Sequence, residues 1–450
     1  MRMLTLGIAL LFSTAASAQT ADLKDILQAA LSADPEWAAA QRTWEADQQY
    51  RVQGRAALFP TIQASYNLSR THRDIENQPA LDTLKFTSET AGISLLQPLF
   101  RVDAWYGNKQ LQAITNAAEA QYLVEQQGFL IRAASHYIEV LRAWEVLESA
   151  RAEERALSRQ REQTQERFDV GLVPITDVEE ARAAYDLASV GLIMAETSFE
   201  VARDNLASLT GQNWESLSGL QEDLPMNGPQ PADPDHWVEQ AQANNLQLKA
   251  ARAQADSARS NARVKAAGQL PQVNLYAQYQ HGHVNKLNSA AAGLGSIDND
   301  HETKVAGIEV TMPLFAGGAL NSQRREASFR HQAAEEQYRL AWRNVHQTAL
   351  TVTRQLTASA RNVQARKQAL RSMESALRAT ESGYEVGTRN VVDVLNAQRN
   401  FHASQRDYAS ARYDYILGSL QLKAVAGQLN EQDIYTVNSW LGGEAVPLQQ

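Results

Sequence analysis

Few residues in this sequence are spaced to do covalent or metal chemistry. His281-Gly-His283 has the spacing of a weak metal pair, and Asp298-Asn-Asp300 offers carboxylates suited to calcium. The histidines fall at the end of a polar segment, where solvated side chains are expected, and the acidic triplet lacks the rest of an EF-hand loop. No P-loop, G-x-S-x-G elbow or H-E-x-x-H motif occurs. The complete absence of cysteine removes thiolate metal sites, cysteine nucleophiles, disulfide scaffolds and a lipid anchor on an N-terminal cysteine. No catalytic residue, metal or cofactor is expected, and the chain does not read as an enzyme.

The elements that could position other kinds of site are better marked. The 450 residues carry 42 basic and 51 acidic side chains, and this acidic balance excludes the basic footprint of a nucleic-acid partner. Residues 1–18 read as a signal peptide, with Arg2, an apolar core from Leu4 to Phe12 and an Ala16-Ser17-Ala18 cleavage site. No later segment is apolar for long enough to form a transmembrane helix. The exported chain is either soluble outside the cytoplasm or crosses a membrane as strands.

Proline is missing from 99–173 and from 314–446, stretches rich in Ala, Gln, Glu, Arg and Leu. At about 1.5 Å per residue a continuous helix over the first would be about 100 Å long, and several shorter helices in a bundle are the alternative. Leu99-Phe100 recurs as Leu314-Phe315, Phe168-Asp-Val-Gly171 as Tyr384-Glu-Val-Gly387, and Asp177-Val178 as Asp393-Val394, at an offset of 215 to 216 residues. The chain therefore reads as a tandem duplication. Its expected parts are a first repeat over 19–223, a Pro-rich linker over 224–235, a second repeat over 236–427 and a C-terminal segment over 428–450.

Each repeat ends in a heptad helix. Val178, Tyr185, Leu192, Phe199 and Leu206 form one row, with Ala181, Ala188, Ala195, Ala202 and Leu209 beside it; Val394, Phe401, Tyr408, Tyr415 and Leu422 form the counterpart. Sustained heptads predict left-handed coiled-coil packing rather than a binding site. Ahead of each long helical stretch lie two alternating segments, giving strands at about 61–70, 87–97, 272–281 and 303–312. Their length suits a tilted crossing of an outer membrane, though half-buried strands of a soluble sandwich would alternate in the same way. Thr71 to Phe86 and His281 to His301 are expected as exposed loops. Four strands cannot close a barrel and an open edge does not survive in lipid, so spanning would require several chains.

The segment Tyr384-Glu-Val-Gly387-Thr388-Arg389-Asn-Val-Val-Asp393-Val-Leu, continuing to Asn430-Glu431-Gln432-Asp433, resembles the TolC-like outer-membrane efflux and secretion channels. So do Phe168-Asp-Val-Gly171-Leu172-Val173-Pro-Ile-Thr176-Asp177-Val and Asn321-Ser322-Gln323. The resemblance spans the mature chain and is closest to members without a lipid anchor. It implies a mainly α fold with a membrane β part, in which a homotrimer builds a twelve-stranded outer-membrane barrel and a long periplasmic α-helical tunnel. An equatorial region would come from the linker and the C-terminal tail.

By the same resemblance the chain is a passive exit duct in outer-membrane lipid, recruited by a periplasmic adaptor and an inner-membrane drug pump or secretion ATPase. Its cargo would be drugs, toxic small molecules or unfolded polypeptides. The tips at 168–177 and 384–393 would form the periplasmic end, with Gly171, Leu172, Val173, Gly387 and Thr388 meeting the adaptor. The implied latch joins Tyr384 and Arg389 to Thr176 and Asp177 through charge-assisted hydrogen bonds, each worth about 1.5–3 kcal/mol. Position 168 is Phe, so only the second repeat supplies a hydroxyl. The alternative is that Asp177 simply caps a helix N-terminus, as aspartate often does. Asp393 would form a three-fold acidic ring at the constriction, and Asn396 in place of a second acid predicts weak block by multivalent cations. A periplasmic coiled-coil spacer or adaptor is the alternative reading, and it leaves the strands unexplained.

Overall fold

The computed structural model describes residues 20–74, 83–222, 224–285 and 299–448. The signal peptide expected over 1–18, the centres of both expected loops and Asp298 lie outside the described residues. The elements are α1 (Leu23–Ala33), α2 (Pro35–Ala56), β1 (Thr61–Asp74), β2 (Thr83–Phe100), α3 (Val102–Asp169), α4 (Ile175–Thr210) and β3 (Ser216–Leu220). They continue with α5 (Pro234–Asn244), α6 (Leu246–Ala267), β4 (Gln272–Asn285), β5 (Asn299–Thr311), α7 (Ala319–Glu385), α8 (Val391–Val425), α9 (Glu431–Asn438) and β6 (Leu441–Pro447). Two helices, a strand pair, a long helix and a shorter helix follow one another twice.

The long helices are single elements of 68 and 67 residues, α3 and α7, as expected where no proline removes an N–H and strong helix formers dominate. Breaks occur where the chemistry demands them. Asp22 and Asp25 form a capping box that starts α1, and Gly211, at φ 70°, ends α4. No helix among the described residues is long and apolar enough to cross a membrane.

Two compact units form. One comprises the N-terminal segment through Gln41, Leu123–Leu246 and Trp342 onward. Its core gathers Phe129, Tyr137, Ile138, Leu141 and Leu147 of α3 with Leu206, Leu217, Tyr413, Ile416 and Leu420, all essentially buried. Each such side chain contributes about 1.5–3 kcal/mol. The Tyr137 hydroxyl donates to the Ser218 carbonyl at 2.6 Å, which satisfies its polar end inside that core. β6 pairs antiparallel with β3, tying the C-terminal tail to residues just ahead of the expected linker. Gly219 is required there, because a Cβ would stand 2.3 Å from the Glu444 carbonyl oxygen.

The heptad rows of α4 and α8 are largely inside this unit; Ala181, Phe199, Leu206, Val394 and Leu422 are buried. α4 carries a second apolar stripe that the heptads do not include. Leu187, Val190, Met194 and Val201 are all more than half exposed and recur at helical spacing.

The other unit, Arg42–Tyr122 with Gln247–Ala341, contains a four-stranded antiparallel sheet in the order β1-β2-β4-β5. The strands outrun the alternation that marked them: β1 continues to Asp74, β2 begins at Thr83 and β4 runs to Asn285. The ends of the expected loops are thus strand. Ladder hydrogen bonds are made by the backbone, so pairing continues where both faces become polar and the alternation vanishes. His281 and His283 consequently stand in β4, not in a loop. His283 Nδ1 lies 2.5 Å from Asp300 Oδ1 across the β4–β5 pair.

Candidate functional site

Two features are organised for function: the helix-to-helix tips of the first unit and the exposed sheet of the second. The tips share one backbone design. At the end of α3, Gly171 adopts φ 78°; its N–H donates to the Phe168 carbonyl and that of Leu172 to Arg167, both at 2.8 Å. At the end of α7, Gly387 adopts φ 79°; its N–H donates to Tyr384 at 3.2 Å and that of Thr388 to Gly383 at 2.8 Å. Both are Schellman closures, which need a residue tolerant of left-handed geometry. They leave Gly171, Leu172, Gly387 and Thr388 exposed, with Val173 half-buried.

The return helices start differently. Asn390 and Asp393 form a reciprocal capping box at the head of α8. α4 follows Pro174 with no side-chain cap, so Asp177 does not act as one. Its carboxylate accepts a long 3.4 Å hydrogen bond from Thr176 Oγ1.

Within one chain the residues of the expected latch are near the tips, but Tyr384 and Arg389 are not bonded to Thr176 or Asp177. Arg389, in the turn ahead of α8, reaches toward Asp393 in the first turn of that helix, 3.7 Å away. Tyr384 packs against a cluster of Leu157, Ala181, Ala184, Val391 and Leu395, and its hydroxyl is buried with no hydrogen-bond partner among the described residues. Asp393 is half-buried at the head of α8, and Asn396 is exposed one turn later. Sequence reading missed two features of the tips. The Arg167 guanidinium stacks 4.6 Å from the Tyr384 ring centroid, and Pro174 stands at the N-cap of α4 without a side-chain cap. Arg167 offered no signal beyond being a cation in the last turn of α3.

Deeper between α3 and α8, Arg406 pairs with Glu153 at 2.7 Å, and His402 is buried beside them. Burial holds the His402 imidazole below its ordinary value of 6.5 and Arg406 adds to this, against the Gln405 hydrogen bond and Glu153.

The register gives the sheet two unlike faces. On one, Ile62, Leu95, Ala277 and Ala306 stand in one row, Ala64, Ile93 and Tyr279 in the next, and Leu275 with Ile308 on the other side. Ile62, Tyr66, Ile93 and Ile308 are between 55% and 71% exposed, an apolar face that none of the described residues covers. The other face carries Gln63, Ser65, Asn67, Ser94, Thr90, Asn274, Gln278 and Gln280. Toward the strand ends the apolar face turns polar: Tyr279 donates to Glu302 at 3.3 Å, and Lys304 pairs with Glu302 at 3.1 Å. β1 and β5 are both open edges.

The family described as outer membrane efflux protein matches residues 26–212 and 237–428. The chain is 34% identical over 443 residues to the outer membrane protein TolC of Vibrio cholerae, covering 98% of each. It is 29% identical to the alkaline protease secretion protein AprF of Pseudomonas aeruginosa, covering 92% of this chain and 86% of that protein. Among solved structures, the outer membrane protein VceC of Vibrio cholerae superposes with a TM-score of 0.73 at 20% identity, covering 90% of this chain and 96% of that one.

Proposed function

The chain belongs to the outer membrane efflux protein family, and from that premise we infer that it is an outer-membrane exit duct for efflux and type I secretion. It resides in the outer membrane, extends into the periplasm and passes cargo without chemistry of its own. The alkaline protease secretion relative supports a polypeptide cargo, and the efflux family a small-molecule one.

The observation that carries this reading is the sheet with one apolar face exposed, one polar face and two open edges. Such a sheet is stable neither in water nor alone in lipid, because unpaired edge N–H and C=O groups each cost several kcal/mol in hydrocarbon. Further copies resolve both defects. Three chains close a twelve-stranded barrel with the apolar face toward lipid and the amide and hydroxyl face toward the lumen. The exposed α4 stripe of Leu187, Val190, Met194 and Val201 packs against a neighbouring copy in the same assembly. The two halves of the chain arise by tandem duplication, with 224–235 as the join.

The tips form the gated periplasmic entrance. Gly171, Leu172, Val173, Gly387 and Thr388 meet a periplasmic adaptor, which couples the duct to an inner-membrane drug pump or secretion ATPase. Tyr384 and Arg389 latch onto Thr176 and Asp177 in the closed trimer, with Asp393 lining the constriction and Asn396 weakening its acidity. The unpartnered Tyr384 hydroxyl and the uncapped Asp177 support this pairing. Single-channel current in a planar bilayer tests the reading against a Tyr384→Phe, Arg389→Ser double variant. Small cation-preferring steps that grow several-fold in the variant are expected. Absence of current from well-folded protein would sink the duct and leave a periplasmic spacer. Large steps unchanged by the variant would discard the latch.

A further inference from the structure

The two tips close alike, yet their acids are used differently. Asn390 Oδ1 accepts the Asp393 N–H at 2.8 Å, and Asp393 Oδ2 accepts the Asn390 N–H at 3.4 Å. Asp177 holds the same position on α4, three residues after Pro174. Backbone geometry does not separate the two sites, since Pro174 at ψ 161° and Asn390 at ψ 172° are both extended. The difference is chemical. Proline has no N–H for the Asp177 carboxylate and no side-chain acceptor for the Asp177 N–H. That N–H turns to the Pro174 carbonyl at 3.1 Å, and the carboxylate is left with Thr176.

We propose that Pro174 is a positioning residue of the gate. By withholding an N–H it keeps Asp177 out of a capping box and presents its carboxylate as the acceptor in the tip latch. This rests on the latch reading above. One donor is in place: the Tyr384 hydroxyl is buried without a partner among the described residues, and its ring packs in the cluster that holds Ala181, one turn beyond Asp177. In the second tip the equivalent acid is occupied by its own cap. The acceptor therefore sits on α4 and the donors on the other tip, which gives the latch its direction.

Pro174→Asn supplies both missing groups. A merely structural role predicts a better-capped, firmer tip with unchanged or smaller current. The proposal predicts single-channel steps several-fold larger than wild type and close to those of Asp177→Asn, with no further rise when the two substitutions are combined. A second readout is carbodiimide labelling of carboxylates, mapped by mass spectrometry in the Tyr384→Phe, Arg389→Ser background, where no latch covers Asp177. There Asp177 labels several-fold faster than Asp393, and Pro174→Asn slows it to the Asp393 rate. Labelling that Pro174→Asn leaves unchanged overturns the proposal. Slowed labelling with current that rises in Asp177→Asn but not in Pro174→Asn overturns its place in the gate. If Asp177→Asn itself leaves the current unchanged, the latch reading falls, while slowed labelling still upholds the hold of Pro174 on the carboxylate.

Discussion

Tyr384 shows how a residue can be half legible. Its place in a tip motif was plain from the sequence, and so was the lack of a hydroxyl at Phe168. Its partner within the chain was not, because a cation stacking on a ring leaves no spacing signature between α3 and α7. Arg167→Ala removes that stack, worth about 0.5–1 kcal/mol at an exposed site. It is expected to raise open probability in bilayer recordings without changing the size of the fully open step. Gly387→Ala forces a Cβ into left-handed backbone at φ 79° and should cost about 1–2 kcal/mol, read as faster amide exchange at 384–389. His402 ties stability to acidity. Above pH 6.5 neither folded nor unfolded chain carries the proton; below it the unfolded chain takes one that the buried imidazole refuses, so stability falls with pH until the folded value is reached. Thermal unfolding followed from neutral pH to the acid side of 6.5 should show that fall, reduced in His402→Gln.

Among the elements, the long helices were readable because proline is a hard stop and its absence is conspicuous. The strands were readable only where one face was apolar. Past Leu68 and before Ala91 polar residues dominate and the alternation is lost, and the ladder continues without announcing itself. The exposed stripe on α4 escaped for a different reason. Heptads reveal the seam that a helix buries in its own chain, and a second seam at another angle needs the burial pattern to be seen. The two faces of the sheet make a sharp comparison. Ile93→Arg places a charge on the apolar face and should lower folding stability in lipid by about 2–4 kcal/mol near mid-depth. Ser94→Arg, one residue on and pointing the other way, should leave folding intact and alter conductance. Heat-modifiable mobility on gels after refolding into vesicles distinguishes the two.

At the scale of the molecule, a chain without cysteine and with two open sheet edges is suited to cross-linking across its proposed seam. Where the seam falls follows from the slope of the apolar face. Ile62 shares a row with Ala306, yet the apolar run climbs from Ile62 to Leu68 on β1 and descends from Ala306 to Val310 on β5. The greasy surface slants, dropping by about two residues at each strand, as strands tilted in a barrel require. A slanting belt can be level in a membrane only if each junction between copies keeps the same pitch. Carried one strand further, that pitch sets Ile308 of one copy opposite Leu68 of the next. A Leu68→Cys, Ile308→Cys pair should then oxidise to a covalent trimer, while Leu68→Cys with Ala306→Cys should do so far less. In the proposed trimer the belt, wound like a screw thread, sets the register at which β5 of one copy meets β1 of the next.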